Sequence, residues 1–179
     1  MKNLQNYKIK NKKIIFRADL NVPVIDGKIT DLSRIIAIKK SVQKLIDNKN
    51  KIFIFTHFGR PNGKVDKKNS TKFICLALEK VLDVNRVSFL NNLKSESIIK
   101  KIEELNYGEV CLVENLRFYP GEENLDLNFS KEICNHFDVY VNDAFSASHR
   151  NHASISGFPK YLPAVAGDLF INEINNINS

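Results

Sequence analysis

Apolar and polar positions along the chain follow two rhythms. Short runs of β-branched and aromatic residues, at Lys13 to Arg17, Lys51 to Thr56, Val87 to Leu90, Glu109 to Val113 and Val139 to Asn142, have the length and composition of strands. Between them stand longer stretches with apolar residues three and four apart: Leu32 to Asp47, Ser70 to Leu82, Ser95 to Leu105 and, more weakly, Leu125 to His136. In the first of these Ile35, Ile38, Val42, Leu45 and Ile46 form one apolar stripe to lay on a sheet, and Thr30 or Asp31 stands where an N-cap belongs. This alternation predicts repeated βα units, and hence an α/β fold: a three-layer, open, Rossmann-like parallel sheet with helices on both faces. Residues 1–179 read as one domain without internal repeats or low-complexity linkers. The first 13 residues and the Asn-rich end NEINNINS predict surface segments, and the stretch PAVAGDLFINEINNI from Pro163 begins like a helix.

Composition narrows the picture a little. At 179 residues and 43% hydrophobic content the chain carries enough apolar material for one core. Its 27 Lys and Arg against 20 Asp and Glu leave a net charge of +7, which concentrates anions near the surface without naming them. Most lysines, such as Lys10, Lys12, Lys13, Lys67 and Lys68, read as a solvated surface. An isoelectric point near 9.3 raises nucleic-acid binding as a class, but neither an aromatic-interleaved basic stripe nor a nucleic-acid motif accompanies it. No apolar run approaches the roughly 18 residues of a membrane span, and the run ahead of Arg17 is too short for a signal-peptide core. Cys75, Cys111 and Cys134 are odd in number and set in apolar context, so buried free thiols and a reducing, cytoplasmic setting are the expectation.

Chemistry gathers where apolar runs end. Four of them break into polar and cationic groups: IIFRADLNVP from Ile14, KIFIFTHFGRPNG from Lys51, VCLVENLRFYPGEE from Val110 and YVNDAFSASHRNHAS from Tyr140. Ligands of open α/β sheets bind outside the carboxyl ends of the strands. Asp19 and Asn21 follow the first strand, His57 and Arg60 the second, Arg117 the fourth and Arg150 the fifth, so all of them fall on that edge. In HFGRPNGK, Gly59 and Gly63 allow close backbone approach while Arg60 offers a fork of donors that matches a phosphate. The loop is no Walker A sequence: the spacing from Gly59 to Gly63 is one residue short, and Val65 follows Lys64. Glu114 and Arg117 form either a local salt bridge or, with Arg150, part of a pocket that a dianion would neutralise. Asn142 and Asp143 read as loop-shaping hydrogen bonders and His136 as structural. His149 and His152 are candidates to orient the Arg150 loop, and His57 is the histidine expected to touch ligand. No pair of His or carboxylates has metal-ligand spacing.

The segments RADLNVP, TDLSR, THFGRPNG, VENLRFYPGEE, YVNDAFSASHRNHAS and PAVAG stand in the order found in phosphoglycerate kinases. Over essentially its whole length the chain resembles the N-terminal, acid-substrate half of that family. The resemblance implies a glycolytic kinase, a transferase that moves a phosphoryl group reversibly between ATP and the carboxylate of 3-phosphoglycerate, giving 1,3-bisphosphoglycerate and ADP. It implies that Asp19 and Asn21 hold the hydroxyl end of that acid and that His57, Gly59, Arg60, Arg117 and Arg150 bind its 3-phosphate. Arg34 would face the carboxylate and the phosphoryl group in transit, as the residue most like a catalyst. The family's nucleotide half, with its Mg-ATP site, has no counterpart among these residues. Mg-ATP or ADP is therefore expected on a C-terminal nucleotide-binding domain and not on this chain, which alone should be inactive. Residues from about 163 to 179 would begin the helix between the two halves. A non-catalytic module that holds phosphorylated acids is the alternative. Leu32 stands where the family has an acidic residue, Ser146 where glycine is common, and Asp168 where an apolar residue is typical, which bears on how the last helix packs.

Overall fold

The computed structural model describes all residues from Met1 to Ser179. Its strands are β1 (Lys13–Arg17), β2 (Val24–Ile25), β3 (Lys28–Ile29), β4 (Lys51–Phe55), β5 (Val87–Leu90), β6 (Val110–Val113), β7 (Val139–Asn142) and β8 (Ala164–Ala166). The helices are α1 (Ser33–Ala37), α2 (Lys39–Asp47), α3 (Ile74–Leu82), α4 (Ser95–Glu104), α5 (Pro120–Glu123), α6 (Leu127–Cys134) and α7 (Asp168–Asn178). Six strands form one sheet in the order β5-β6-β4-β1-β7-β8, with every neighbouring pair parallel. β2 and β3 make a separate small hairpin around Asp26 and Gly27, both at positive φ.

Strand alternation sorts the core into two layers. Ile14, Phe16, Ile52, Ile54, Val110, Leu112, Val139 and Val141 face α1, α2 and α3 and meet Ile35, Ile38, Val42, Leu45, Ile74 and Leu78. Ile15, Phe53, Phe55, Cys111, Val113 and Tyr140 face the other way, toward Ile98 of α4, Ile133 of α6 and Phe158. Edge-to-face ring contacts of Phe53 and Phe55 with Phe137, and of Phe55 and Tyr140 with Phe158, close this second layer. The three-layer parallel sheet expected from the alternation of elements is the fold observed.

Several elements differ from their sequence expectation for local reasons. The stretch Leu32 to Asp47 is two helices meeting at Ile38, and of its stripe Ile46 is only half buried. Neither Thr30 nor Asp31 is the N-cap: that position falls to Leu32, without a side-chain cap, and Asp31 one residue earlier accepts the Ser33 N–H at 2.8 Å. The helix expected from Ser70 is α3, which starts only at Ile74, with Thr71 bonded to Val113 and Glu114, and ends at Leu82, capped by Asp83 in the left-handed conformation. Leu125 has φ +52 and cannot begin a helix, so α6 starts after Asp126, whose side chain accepts the N–H groups of Asn128 and Phe129. PAVAG does not open a helix; it supplies β8, paired with β7, and α7 begins only at Asp168. Nor are the first 13 residues wholly superficial. Ile9 is buried in the core, Asn3 bridges Ala166, Leu4 N–H donates to the Ala166 carbonyl and Ala166 N–H to that of Lys2. Cys111 and Cys134 are buried free thiols, whereas Cys75 is only half buried, and burial pushes the Cys111 and Cys134 thiols up to about 12.

Candidate functional site

The connection leaving β1 runs to β4 on one side and the connection leaving β7 runs to β8 on the other. Adjacent strands whose exits diverge leave a crevice beyond their carboxyl ends, and the polar segments singled out in the sequence converge there.

After β1 the chain turns sharply. Asp19 accepts the Asn21 N–H at 3.1 Å, which makes the turn, and Asn21 Oδ1 in turn accepts the Gly59 N–H at 3.1 Å, which locks that turn to the loop after β4. The second Asp19 oxygen accepts the hydroxyl of Ser146 from the loop after β7, so the carboxylate bridges the crevice. Arg34, in the first turn of α1, places its guanidinium 2.6 Å from the first oxygen while leaving about half of its side chain exposed. Burial pushes the Asp19 carboxyl up, but the bonds from Ser146 and Asn21 and the charge of Arg34 prevail and hold it below the usual carboxylate range. A recess of about 350 Å³ opens beside this pair, lined by Ser33, Arg34, Phe145, Ser146 and Leu169.

A cationic cluster stands next to it. His57 is 6% exposed, and burial, with Arg17, Arg117 and Arg150 nearby against a single opposing Asp19, pushes its imidazole down to about 2. Its Nδ1 lies 3.0 Å from a terminal nitrogen of Arg17. Arg117 donates to the Gly59 carbonyl at 2.9 Å, and its Nε is buried without a partner. Burial and the charges of Arg150 and Arg17 lower the guanidinium of Arg117. Arg60 and Arg150 are exposed, and neither side chain makes a hydrogen bond or ion pair within the protein. Buried arginines held in place, exposed ones without an internal partner and a neutral histidine give this edge the charge and the directed donors that binding a multiply charged anion would require.

Four sequence readings need correction here. Glu114 does not pair with Arg117: its carboxylate accepts Ser70 Oγ at 2.7 Å, Thr71 N–H at 2.8 Å and Asn115 N–H at 2.9 Å, tying β6 to the segment before α3. Gly59 does lack a side chain for steric reasons, but the space is taken from within. At φ +63 an added Cβ would sit 2.1 Å from Asn69 Oδ1. The side chains of His149 and His152 make no hydrogen bond, and the loop bearing Arg150 is anchored instead at Ser154. Its N–H donates to Glu122 Oε1 at 2.9 Å, its carbonyl accepts the Tyr140 hydroxyl at 2.5 Å, and its Oγ accepts from Arg17 Nε at 2.8 Å. Asn142 does shape its loop, accepting the Ala144 N–H, but Asp143 is turned toward α7 and accepts the Phe170 N–H at 3.0 Å.

The residue that sequence reasoning missed is Arg17. It closes β1 with 1% exposure and has no carboxylate within ion-pairing distance. A cation ending the run KIIFR in a central strand was the available signal, because such a position faces protein on both sides and its charge must be answered by dipoles or by a ligand.

A Rossmann-like sheet whose carboxyl edge gathers a cluster of four arginines and a neutral histidine beside the Asp19–Arg34 pair defines an α/β protein with a cationic crevice at its topological switch point. The family follows from comparison: the phosphoglycerate kinase model matches residues 4–179, and the chain belongs to that family. The phosphoglycerate kinase of Chelativorans sp. (strain BNC1) is 44% identical over 159 residues, covering 89% of this chain and 40% of that protein. The one from Prochlorococcus marinus (strain MIT 9515) is 43% identical over 176 residues, covering 97% of this chain and 44% of that protein. Among solved structures, phosphoglycerate kinase from Coxiella burnetii superposes with a TM-score of 0.87 at 33% identity, covering 98% of this chain and 44% of that one. That from Pyrococcus horikoshii OT3 gives 0.89 at 31% identity, covering 99% and 45%. The chain thus spans about two fifths of the length of the curated relatives it matches.

Proposed function

We propose that this chain supplies the 3-phosphoglycerate side of a phosphoglycerate kinase, an enzyme that transfers a phosphoryl group between ATP and the substrate carboxylate. The observation that carries the reading is the pairing, on one sheet edge, of a cationic cluster with a separate Asp19–Arg34 pair: one end of the ligand is a phosphate and the other a carboxylate beside a hydroxyl. Arg60, Arg117 and Arg150 neutralise the 3-phosphate, and His57 donates to it as a neutral imidazole. Asp19, ionised at neutral pH, accepts from the substrate hydroxyl, with Asn21 fixing the turn that presents it. The substrate carboxylate is already ionised near neutral pH, so no protein base is required and the rate rests on positioning and charge neutralisation. Arg34 leaves its ion pair to meet the charge that develops on the transferring group.

The loop after β4, the one closest to a phosphate loop in sequence, lacks the Walker A spacing, and the room beside its Gly59 is filled by Asn69. We therefore place Mg-ATP on the part of the enzyme beyond these residues. In the same reading residues 1–179 are the substrate domain, and α7 begins the connection to the nucleotide domain.

Titration calorimetry at moderate salt tests the reading. The chain should bind 3-phosphoglycerate more tightly than 2-phosphoglycerate or sulfate, and Arg150→Ala or Arg60→Ala should weaken that binding by about 2 kcal/mol or more. An affinity no better than that for sulfate would reject a substrate site.

A further inference from the structure

We propose that Arg17 is a positioning residue for the anion site: it fixes His57 as a neutral donor through Nε2 and ties the Arg150 loop to the same point, without itself touching the ligand. The inference rests on the functional reading above and deepens it.

The geometry commits every edge of the Arg17 guanidinium. Nε donates to Ser154 Oγ at 2.8 Å, one terminal nitrogen donates to the Ala18 carbonyl, and the other lies 3.0 Å from His57 Nδ1. A guanidinium only donates, so Nδ1 must be the unprotonated ring nitrogen and the proton resides on Nε2. His57 Nε2 has no partner in the protein and is not among the fully occluded polar atoms, so it opens toward the crevice solvent. The charged groups acting on the ring are Arg17 from β1, Arg117 from the segment after β6, Arg150 from the loop after β7 and Asp19 from the turn after β1. Three cations against one carboxylate disfavour a fourth positive charge in a buried place. The ring therefore offers one directional N–H whose state does not change with pH across the neutral range.

The same guanidinium reaches the loop that carries the exposed Arg150. Ser154 is held from three sides, by Arg17, by Glu122 and by Tyr140, and these bonds fix the stem from which Arg150 extends. Lysine could not replace this arrangement, since a single ammonium lacks the planar fork that spans a serine, a carbonyl and an imidazole at once. Arg17 has no carboxylate partner, so its charge also adds to the field at the crevice instead of being cancelled there.

The test begins with the ligand-free wild-type chain. Long-range proton–nitrogen NMR should show His57 with Nδ1 unprotonated, Nε2 protonated and no titration between pH 5 and 8. A proton on Nδ1, or a titration midpoint in that range, would overturn the proposal. Arg17→Met should release the tautomer, so that a form protonated on Nδ1 appears in the His57 signals while burial, Arg117 and Arg150 still keep the ring neutral, and should lower 3-phosphoglycerate affinity on the order of tenfold. The milder Ser154→Ala should leave the His57 signals unchanged yet weaken binding several-fold, because only the loop tether is lost. Unaltered affinity in both variants would sink the positioning role even with the histidine neutral. Absence of 3-phosphoglycerate binding in the wild type would instead reject the functional reading, and the NMR result is independent of it.

Discussion

Asp143 and Asp168 place two carboxyl groups in the interior where β7 meets the start of α7, and the cost of that choice is measurable. Asp143 is fully buried, its Oδ2 has no partner, and burial, with Asp168 nearby adding to the effect and the Phe170 N–H opposing it, raises its carboxyl from the usual 3.8 to about 6. Asp168 is answered by Lys44, whose ammonium lies 2.6 Å from Oδ2; Asp143 has no such cation. Below pH 4 the Asp143 carboxyl is protonated in folded and unfolded chains alike and contributes no difference. Between about 4 and 6 the folded chain keeps a proton that the unfolded chain has lost, so each rise in pH favours unfolding. Above 6 the penalty is complete. A gap of about two pH units corresponds to about 3 kcal/mol. Asp143→Asn keeps the oxygen that accepts from Phe170 and removes the charge. Urea unfolding at intervals from pH 4.5 to 7.5 should show the variant gaining on the parent as pH rises, with most of that 3 kcal/mol present at neutral pH. A difference between the two proteins that stays flat over the range would refute a raised carboxyl and the reasoning behind it.

Gly59→Ala should destabilise the chain by about 1–3 kcal/mol in the same unfolding assay, since it combines a left-handed backbone with a collision against Asn69. In an enzyme carrying both halves, Arg34→Ala should lower kcat far more than it raises KM for 3-phosphoglycerate, and a change confined to KM would reduce Arg34 to a binding residue. The 179 residues alone, assayed with ATP, magnesium and 3-phosphoglycerate, should show neither turnover nor saturable ATP binding; robust turnover would reveal a nucleotide site within them.

What was legible in the sequence follows the physics of each signal. The five long strands and the two-sided packing were visible because central parallel strands must be apolar on both faces, and their ends fell within a residue of expectation. β8 was not visible, since three small residues carry no periodicity and pair only because β7 lies alongside. The break at Ile38 was hidden because the apolar stripe continues through it and Ile38 itself stays buried. At the site, the sequence located the carboxyl edge and the side chains along it. Their partners were beyond its reach: that Glu114 prefers Thr71 to Arg117, or that Ser154 and not a histidine anchors the Arg150 loop, depends on segments dozens of residues apart meeting in space. Arg17 shows the same limit, for a charge at a strand end reads as the end of burial when it is in fact the deepest cation of the crevice.

The contact of Lys2, Asn3 and Leu4 with Ala166 gives the first residues of the chain a hold on its far end. Ala166 lies one residue before Gly167, whose backbone packs against Asp143, and two before the buried Asp168 that starts α7. Trimming the first few residues, by an aminopeptidase or by a shortened gene, would strip the outer side of β8 and leave its amide and carbonyl open to pairing with another molecule. Proteolysis at one terminus would thus loosen the root of the last helix and create a sticky edge in the same cut.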